Sequence, residues 1–137
     1  MSAYTQKKTG SIKLRNSIGL NTALKILDKW GATTQQSLSV LRISRSTFQR
    51  ARKKPREFFL DADQVERISM VLNIHATMRS LFENPENVYG FMRRPNDNEF
   101  FNGRSPLDIM SQGGVLAMLE TYRRVMSLND SFAISRL

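Results

Sequence analysis

Residues 33–54 read TTQQSLSVLRISRSTFQRARKK, and this stretch decides which fold the chain is expected to adopt. Thr33, with Gln36 three residues later, has the spacing of a capping box and predicts the start of a helix. A tight corner follows at residues 42–43, and Ser44 is the natural N-cap of a second helix. Two short helices joined by a tight corner are the elements of a helix-turn-helix.

The composition of the second predicted helix suits DNA. Residues 43–54 contain five basic residues and no acidic one. Arginine can bond a guanine, and glutamine an adenine, through two hydrogen bonds, whereas basic side chains further along the helix suit phosphates. The residues predicted to contact DNA are Ser44, Arg45, Ser46, Gln49, Arg50, Lys53 and Lys54. Four apolar residues are expected to pack the two helices together: Leu38, Leu41, Ile43 and Phe48.

Charge is distributed unevenly along the chain, whose net charge is +9. Residues 1–60 hold 13 Lys+Arg and 2 Asp+Glu, a net charge of +11, whereas residues 61–137 hold 8 and 10, a net charge of −2. This asymmetry favours a site for a polyanion in the first half of the chain. The alternative interpretation is a solvated basic face without a ligand.

The composition also argues against several classes of protein. The chain has no cysteine, so it has neither a disulfide framework nor a thiolate metal site. No apolar run approaches the ~18 residues that a membrane span needs, and the N-terminus lacks the apolar region of a secretory signal. His75 is the lone histidine, and no catalytic grouping, glycine-rich phosphate loop or metal-binding spacing accompanies it. We expect a cytoplasmic protein that is not an enzyme, carries no cofactor or metal and does not bind a membrane.

The remaining start and stop signals predict an all-α chain of roughly seven short helices. Residues 1–20 are interpreted as a basic arm, after which the first helix is expected to begin at an N-cap, Asn21, and to end at Gly31. A second capping box predicts a helix start at Asp61, and that helix is expected to break at Asn73.

The second half of the chain uses one start signal twice. Asn84-Pro85 and Ser105-Pro106 each place a capping side chain before a proline at the first helical position. Residues 93–104 are expected to form a loop, Gly113-Gly114 a turn, and residues 115–127 a last amphipathic helix. The apolar side of that helix is expected to contain Val115, Leu119, Tyr122 and Met126. Of Phe100 and Phe101, one is interpreted as a core residue and the other as a partner contact.

Residues 21–60 resemble the DNA-binding region of Xre (Cro/repressor-like) regulators. The corner position that is usually glycine in this family is Arg42 here. If that corner is left-handed, Arg42 has a strain of roughly 1 kcal/mol. The resemblance implies a helix-turn-helix domain that binds double-stranded operator DNA, often as a dimer.

The run GRSPLD at residues 103–108, followed by Gly113-Gly114 and a final helix, resembles the toxin-binding domain of Xre/MbcA/ParS antitoxins. The stretches LNIHATMRSLFENPENVYGFMRRPN at residues 72–96 and SRSTFQRARKK are also similar to this family. The expected organisation is an arm over 1–20, a helix-turn-helix region over 21–60, connecting helices over 61–84 and a small α-helical toxin-binding domain over 85–137.

This resemblance implies a type II antitoxin. Its C-terminal domain would neutralise a co-encoded RES-domain toxin by covering the pocket in which that toxin consumes NAD, and its helix-turn-helix would repress the shared promoter as a homodimer. The candidate toxin-binding residues are Arg104, Ser105, Asp108, Arg123 and Arg124. The structural alternative is that Asp108 caps a helix and that the arginines are solvated.

Two other functions stay open at this point. The chain could be a plain helix-turn-helix transcriptional regulator whose C-terminal half only dimerises or senses a signal. It could also be a non-specific nucleic-acid protein that uses the basic arm, which predicts steep salt dependence and no sequence preference.

Overall fold

The computed structural model describes residues 17–53 and 58–135, with side chains as far as residue 128. This part of the chain contains seven helices and no strand, so the prediction of an all-α fold is confirmed. The helices are α1 (17–29), α2 (Thr34–Leu41), α3 (Arg45–Lys53), α4 (Ala62–Leu81), α5 (Pro85–Gly90), α6 (Pro106–Gln112) and α7 (Gly114–Ser135). Lys54 and most of the predicted arm lie outside the described residues.

Four of the predicted helix starts are confirmed, at the N-caps Thr33, Asp61, Asn84 and Ser105. The Thr33 hydroxyl accepts a hydrogen bond from the Gln36 amide at 3.1 Å, and the Gln36 side chain accepts one from the Thr33 amide at 3.0 Å. Asp61 and Gln64 form the same reciprocal pair before α4, at 2.8 and 3.0 Å. Helices α5 and α6 each begin with a capping side chain followed by proline. These bonds satisfy amide groups that have no partner inside a helix, so residues close in sequence define where each helix begins.

Two predictions about the start of the chain are wrong. Residues 17–20, assigned to the arm, are helical, and Asn21 lies inside α1 instead of capping it. The apolar face of α1 continues before Asn21, because Leu20 is completely buried. Tertiary packing of that face stabilises helix where the local pattern is polar. The predicted end of α1 is confirmed, since Gly31 follows it with a left-handed φ of 83°.

Helices α4 and α7 are longer than predicted. Helix α4 passes through Asn73 without a break. Val71, Ile74 and Met78 are fully buried on its packed side, and this packing outweighs the modest helix propensity of asparagine. Helix α7 extends to Ser135, beyond its predicted end, and no glycine or proline interrupts it after its first residue.

A single core joins the two halves of the chain. Trp30 from the first half and Met92 and Met118 from the second are completely buried in the same cluster. Helix α2 packs against α6 and α7, and the Gln36 side-chain amide donates a hydrogen bond to Asp108 Oδ1 at 3.0 Å. The helix-turn-helix is therefore packed directly on the helices of the second half.

Candidate functional sites: the basic helix α3 and the α6–α7 surface

Helix α3 is held in place by a capped first turn and by two apolar residues. Ser44 Oγ accepts a hydrogen bond from the Thr47 amide at 3.0 Å, as expected of an N-cap. Phe48 and Ala51, three residues apart, are buried in the core. Because residues three apart share one face of a helix, the opposite face of α3 is directed to solvent.

The solvent face of α3 brings together the described residues that were predicted to contact DNA. The exposed side chains are Ser44, Arg45, Ser46, Gln49, Arg50, Arg52 and Lys53. Within residues 17–53 and 58–128, no carboxylate forms an ion pair with these basic groups. Two guanidinium groups lie over aromatic rings: Arg52 is 5.3 Å from the Phe48 ring centre and Arg50 is 5.7 Å from that of Phe58. The basic groups of α3 are thus free to meet an external anion.

A cleft beside α3 contains groups that the sequence did not reveal. It has a volume of about 440 Å³ and lies between α1, the start of α2 and α3. Lys25 and Arg52 line this cleft with Thr33, Thr34 and Asp28. The lining therefore combines two cations, one carboxylate and two hydroxyl-bearing residues beside the basic face of α3. Lys25 could not be predicted as a contact, because only the packing of α1 brings it near α3.

Arg42 forms the corner between α2 and α3 in the left-handed conformation, with φ 55° and ψ 47°. Its guanidinium pairs with Asp61, and its Nε lies 2.6 Å from Asp63 Oδ2. Its carbonyl oxygen accepts a hydrogen bond from Gln64 Nε2 at 2.8 Å. The bonds from Arg42 are the main reason that the pKa values of Asp61 and Asp63 lie below the ordinary value. These bonds between Arg42 and the start of α4 offset the strain of about 1 kcal/mol that a non-glycine residue has in the left-handed conformation.

The GRSPLD run leads into α6, and its three predicted toxin contacts are each hydrogen-bonded within the chain. Ser105 is buried, and its Oγ accepts a hydrogen bond from the Asp108 amide at 3.1 Å. The Asp108 carboxylate in turn accepts the bond from Gln36 that joins α6 to α2. Arg104 is exposed, with Nε 3.4 Å from the Phe101 carbonyl oxygen. Of these three, Arg104 therefore offers its charge to solvent, and the other two hold α6 in place.

The two neighbouring arginines of α7 have different surroundings. Arg123 is exposed. Arg124 is half-buried, with its guanidinium 4.5 Å from the Phe100 ring centre and its Nε 3.4 Å from Glu120 Oε1. Phe101 is buried, so one phenylalanine of the pair is a core residue, as predicted.

The first turn of α7 exposes two large apolar side chains. Val115 is 50% exposed and Leu116 is 78% exposed. The prediction of a packed apolar side that begins at Val115 is therefore wrong for that residue, and full burial on α7 begins at Met118. The first turn of α7 lies at the edge of the packed region, and helical periodicity alone does not predict which side chains are buried there.

The turn before α7 requires glycine at both positions. A Cβ at Gly113 would lie 2.1 Å from the Cβ of Ala117, and Gly114 has a left-handed φ of 74°. A side chain at either position would therefore be strained, by contact at the first and by backbone conformation at the second. The Gly-Gly turn thus sets the direction in which α7 begins.

His75 has a structural environment. Its ring stacks on Tyr89, with ring centres 5.5 Å apart and an interplanar angle of 18°. Burial lowers the pKa of His75, and the positive charge of Arg79 lowers it further. In the described part of the chain, no group of His, Asp and Glu side chains is arranged to hold a metal ion. None of the helices in that part of the chain is long and apolar enough to span a membrane.

Comparison with known proteins identifies both halves of the chain. The family model of the antitoxin Xre-like helix-turn-helix domain matches residues 13–73, and that of the antitoxin Xre/MbcA/ParS C-terminal toxin-binding domain matches residues 78–122. A protein of Sinorhizobium fredii, described as uncharacterized protein y4oB, is 39% identical over 98 residues, which cover 71% of this chain and 73% of that relative. The basic face of α3 lies in the first match and the exposed turn of α7 in the second. The chain therefore belongs to the Xre-type antitoxins and combines a DNA-binding helix-turn-helix domain with a C-terminal toxin-binding domain.

Proposed function

We propose that this antitoxin neutralises a co-encoded RES-domain toxin by covering the site at which that toxin consumes NAD, and that it represses its own promoter as a homodimer. The observation that supports this proposal best is that the exposed basic face of α3 and the toxin-binding domain share one core. Such a molecule can hold DNA and toxin together, as repression by a toxin–antitoxin complex requires. The RES class of the toxin rests on the resemblance of residues 103–114. Both partners would be met in the cytoplasm.

On the DNA side, α3 is proposed to enter the major groove with its first turns against the bases. Arg45, Ser46, Gln49 and Arg50 are assigned to base contacts, and Ser44, Lys53 and Lys54 to the flanking backbone. Lys25 and Arg52, on the two sides of the cleft beside α3, are proposed to bind a phosphate. A homodimer would place its two α3 helices on half-sites roughly 10 base pairs apart or a multiple of that spacing. We assign this activity to residues 17–60, with residues 1–16 as an accessory.

On the toxin side, the exposed Arg104 and Arg123 are proposed to contact the toxin directly. An arginine can form two parallel hydrogen bonds with a carboxylate at the rim of a pocket. Ser105 and Asp108 contribute by fixing the start of α6, and Arg124 by its position over the Phe100 ring. We assign toxin binding to residues 85–137, with residues 61–84, which contain the single helix α4, as the connection between the two halves.

The test combines the full-length antitoxin, the purified protein encoded beside it and DNA of their shared promoter. NAD consumption by the co-encoded protein should fall in proportion to the antitoxin added. Promoter DNA should be retarded in a mobility-shift assay, even with an excess of unrelated DNA, and sedimentation should give the mass of a dimer.

Each part of the proposal fails on a different result. A toxin that binds the antitoxin but consumes no NAD contradicts the RES assignment. Equal competition by unrelated DNA contradicts autorepression and favours a non-specific nucleic-acid protein. A co-encoded protein that does not bind at all favours the plain transcriptional regulator.

A further inference from the structure

We infer that the first turn of α7, with Val115 and Leu116 at its outer edge, is the apolar anchor by which this antitoxin holds its toxin. The inference rests on the proposed toxin binding and states which surface carries it. The candidate toxin-binding residues of the sequence analysis are all charged or polar, and Phe100 is the one apolar side chain that was left there as a partner contact. The anchor adds a hydrophobic contact to a set of charged and polar ones.

The exposure of this pair is unusual for the molecule. Among the described side chains, four large apolar ones are exposed: Ile18, Phe59, Val115 and Leu116. Single exposed apolar residues are common on protein surfaces. Val115 and Leu116 differ because they are consecutive, lie on the same turn and fall inside the segment that matches the toxin-binding domain. Two adjacent apolar side chains in a binding domain form the kind of small patch around which interfaces are built.

The turn that presents this pair fits glycine only. A Cβ added at Gly113 would collide with Ala117, and Gly114 has a conformation that other residues adopt only with strain. The preceding helix α6 is capped by Ser105 and bonded to α2 through Asp108 and Gln36. An anchor that is already in place in the free protein binds without the cost of ordering a loop.

The charges along the same side of α7 indicate what kind of surface would fit. Leu116 and Arg123 are seven residues apart, so they lie on one side of the helix about 10 Å from each other. Glu120, between them, has an arginine partner in Arg124. Arg123 has no carboxylate within ion-pair distance among the described residues. A partner surface complementary to Leu116 and Arg123 has a shallow apolar pocket with an acidic group on one side.

A protein toxin fits this surface better than the other available occupants. DNA offers phosphates to Arg123, but its backbone has no apolar socket for Leu116. A second copy that met this chain through the same turn would offer Glu120 to Arg123, but Glu120 already has an arginine partner in Arg124. The match of residues 78–122 to a toxin-binding domain decides between the two proteins in favour of the toxin.

The test measures the affinity of the purified co-encoded toxin for full-length variants by biolayer interferometry. Val115→Ser with Leu116→Ser should weaken toxin binding by roughly 30- to 300-fold, as expected for central apolar contacts. The matched control is Ile18→Ser with Phe59→Ser, which removes the two exposed apolar residues of the other half. This control should bind toxin as the wild type does.

The outcomes separate the inference from the function on which it rests. Equal toxin affinity of the Val115/Leu116 variant and the wild type overturns the anchor and leaves the antitoxin function intact. A wild-type protein that does not bind the toxin overturns both. A variant that loses dimerisation in sedimentation but keeps toxin affinity shows that a second copy covers this turn, and it also overturns the inference.

A second measurement does not depend on weakening the complex. The chain has no cysteine, so Leu116→Cys and Phe59→Cys each introduce one thiol at an exposed position. Toxin should slow maleimide labelling of the thiol at position 116 by at least about tenfold, as expected of a buried interface centre, and should leave labelling at position 59 unchanged. Equal labelling rates at position 116 with and without saturating toxin would overturn the anchor.

Discussion

Helix α3 and the first turn of α7 are both exposed, yet they expose opposite chemistry. Helix α3 buries its apolar side chains and presents arginine, lysine and glutamine, whereas α7 begins with Val115 and Leu116 in solvent. Attraction between charges acts at a distance and is screened by salt, while apolar burial acts only on contact. Two surfaces on one shared core can therefore select different partners, because one acts mainly through charge and the other mainly through apolar burial. No long linker between the two sites is needed for this.

The largest expected effect concerns α3. Arg45→Ala with Arg50→Ala should weaken promoter binding by about 2–6 kcal/mol, because each arginine–guanine contact contributes about 1–3 kcal/mol. Toxin affinity should stay within about twofold, a change within ordinary non-additivity, since both side chains are exposed and neither is bonded to α6 or α7 among the described residues. Fluorescence anisotropy with labelled promoter DNA and interferometry with toxin measure the two affinities.

The reciprocal control for this pair is Val115→Ser with Leu116→Ser, which should retain promoter affinity. The two affinities should also differ in their dependence on salt. Between 50 and 200 mM salt, the affinity for DNA through 6–10 phosphate contacts should fall by about 10³-fold or more. The affinity for toxin should change little over the same range. A folded Arg45/Arg50 variant that loses both partners would contradict the separation of the two sites.

An intermediate effect is expected at the turn that directs α7. Gly113→Ala should lower the free energy of unfolding by about 1–3 kcal/mol, because the new methyl group collides with Ala117. Urea unfolding followed by circular dichroism measures this loss. Gly103→Ala is the control for a glycine substitution without a collision: an added Cβ at Gly103 has no atom within 4 Å, although Gly103, unlike Gly113, has a left-handed φ of 82°.

The free energy of unfolding of the Gly103 variant should fall only by the backbone strain of about 1 kcal/mol that a side chain has at a left-handed φ. The Gly113 variant should also bind toxin more weakly than the Gly103 variant, because α7 would begin in a different direction. If both variants had the same stability and toxin affinity, contact with Ala117 would not be what orients α7.

The smallest effect is expected at the Arg42 corner and depends on pH. The pKa values of Asp61 and Asp63 are lower in the folded protein than in the unfolded chain, mainly through hydrogen bonds from Arg42. The unfolded protein therefore binds these protons first, so the stabilisation is complete above the unfolded pKa of about 3.9 and is lost as pH falls through the folded values. The carboxylates are largely exposed, which keeps the effect small.

Asp61→Asn with Asp63→Asn should flatten the dependence of the unfolding free energy on pH below about pH 4. Asparagine at position 61 still caps α4, so the substitution changes the charge and keeps the cap. Asp97→Asn, at an exposed loop position, is the matched control and should leave the pH dependence as in the wild type. A double variant with the wild-type acid transition would show that the Arg42 bonds do not stabilise the corner.

The predictions from sequence were accurate where neighbouring residues decide the structure. The capping pairs Thr33–Gln36 and Asp61–Gln64 and the cap at Ser44 involve residues three apart, so their geometry is contained in the local sequence. The exposed face of α3 follows from burial of Phe48, because a helix that buries one side presents the other. The resemblance of residues 103–108 to a toxin-binding domain is confirmed by the family match over residues 78–122.

By itself, the sequence determined that the chain is all-α, that α2 and α3 form a helix-turn-helix and that α3 presents basic groups. Short-range hydrogen bonds and helical periodicity are enough for each of these features. Only the tertiary structure decided that Leu20 extends α1, that α4 continues through Asn73 and that Leu116 remains in solvent. Each depends on contacts between residues far apart in the chain, as in the bond between Gln36 and Asp108, and no local pattern of residues encodes such a contact.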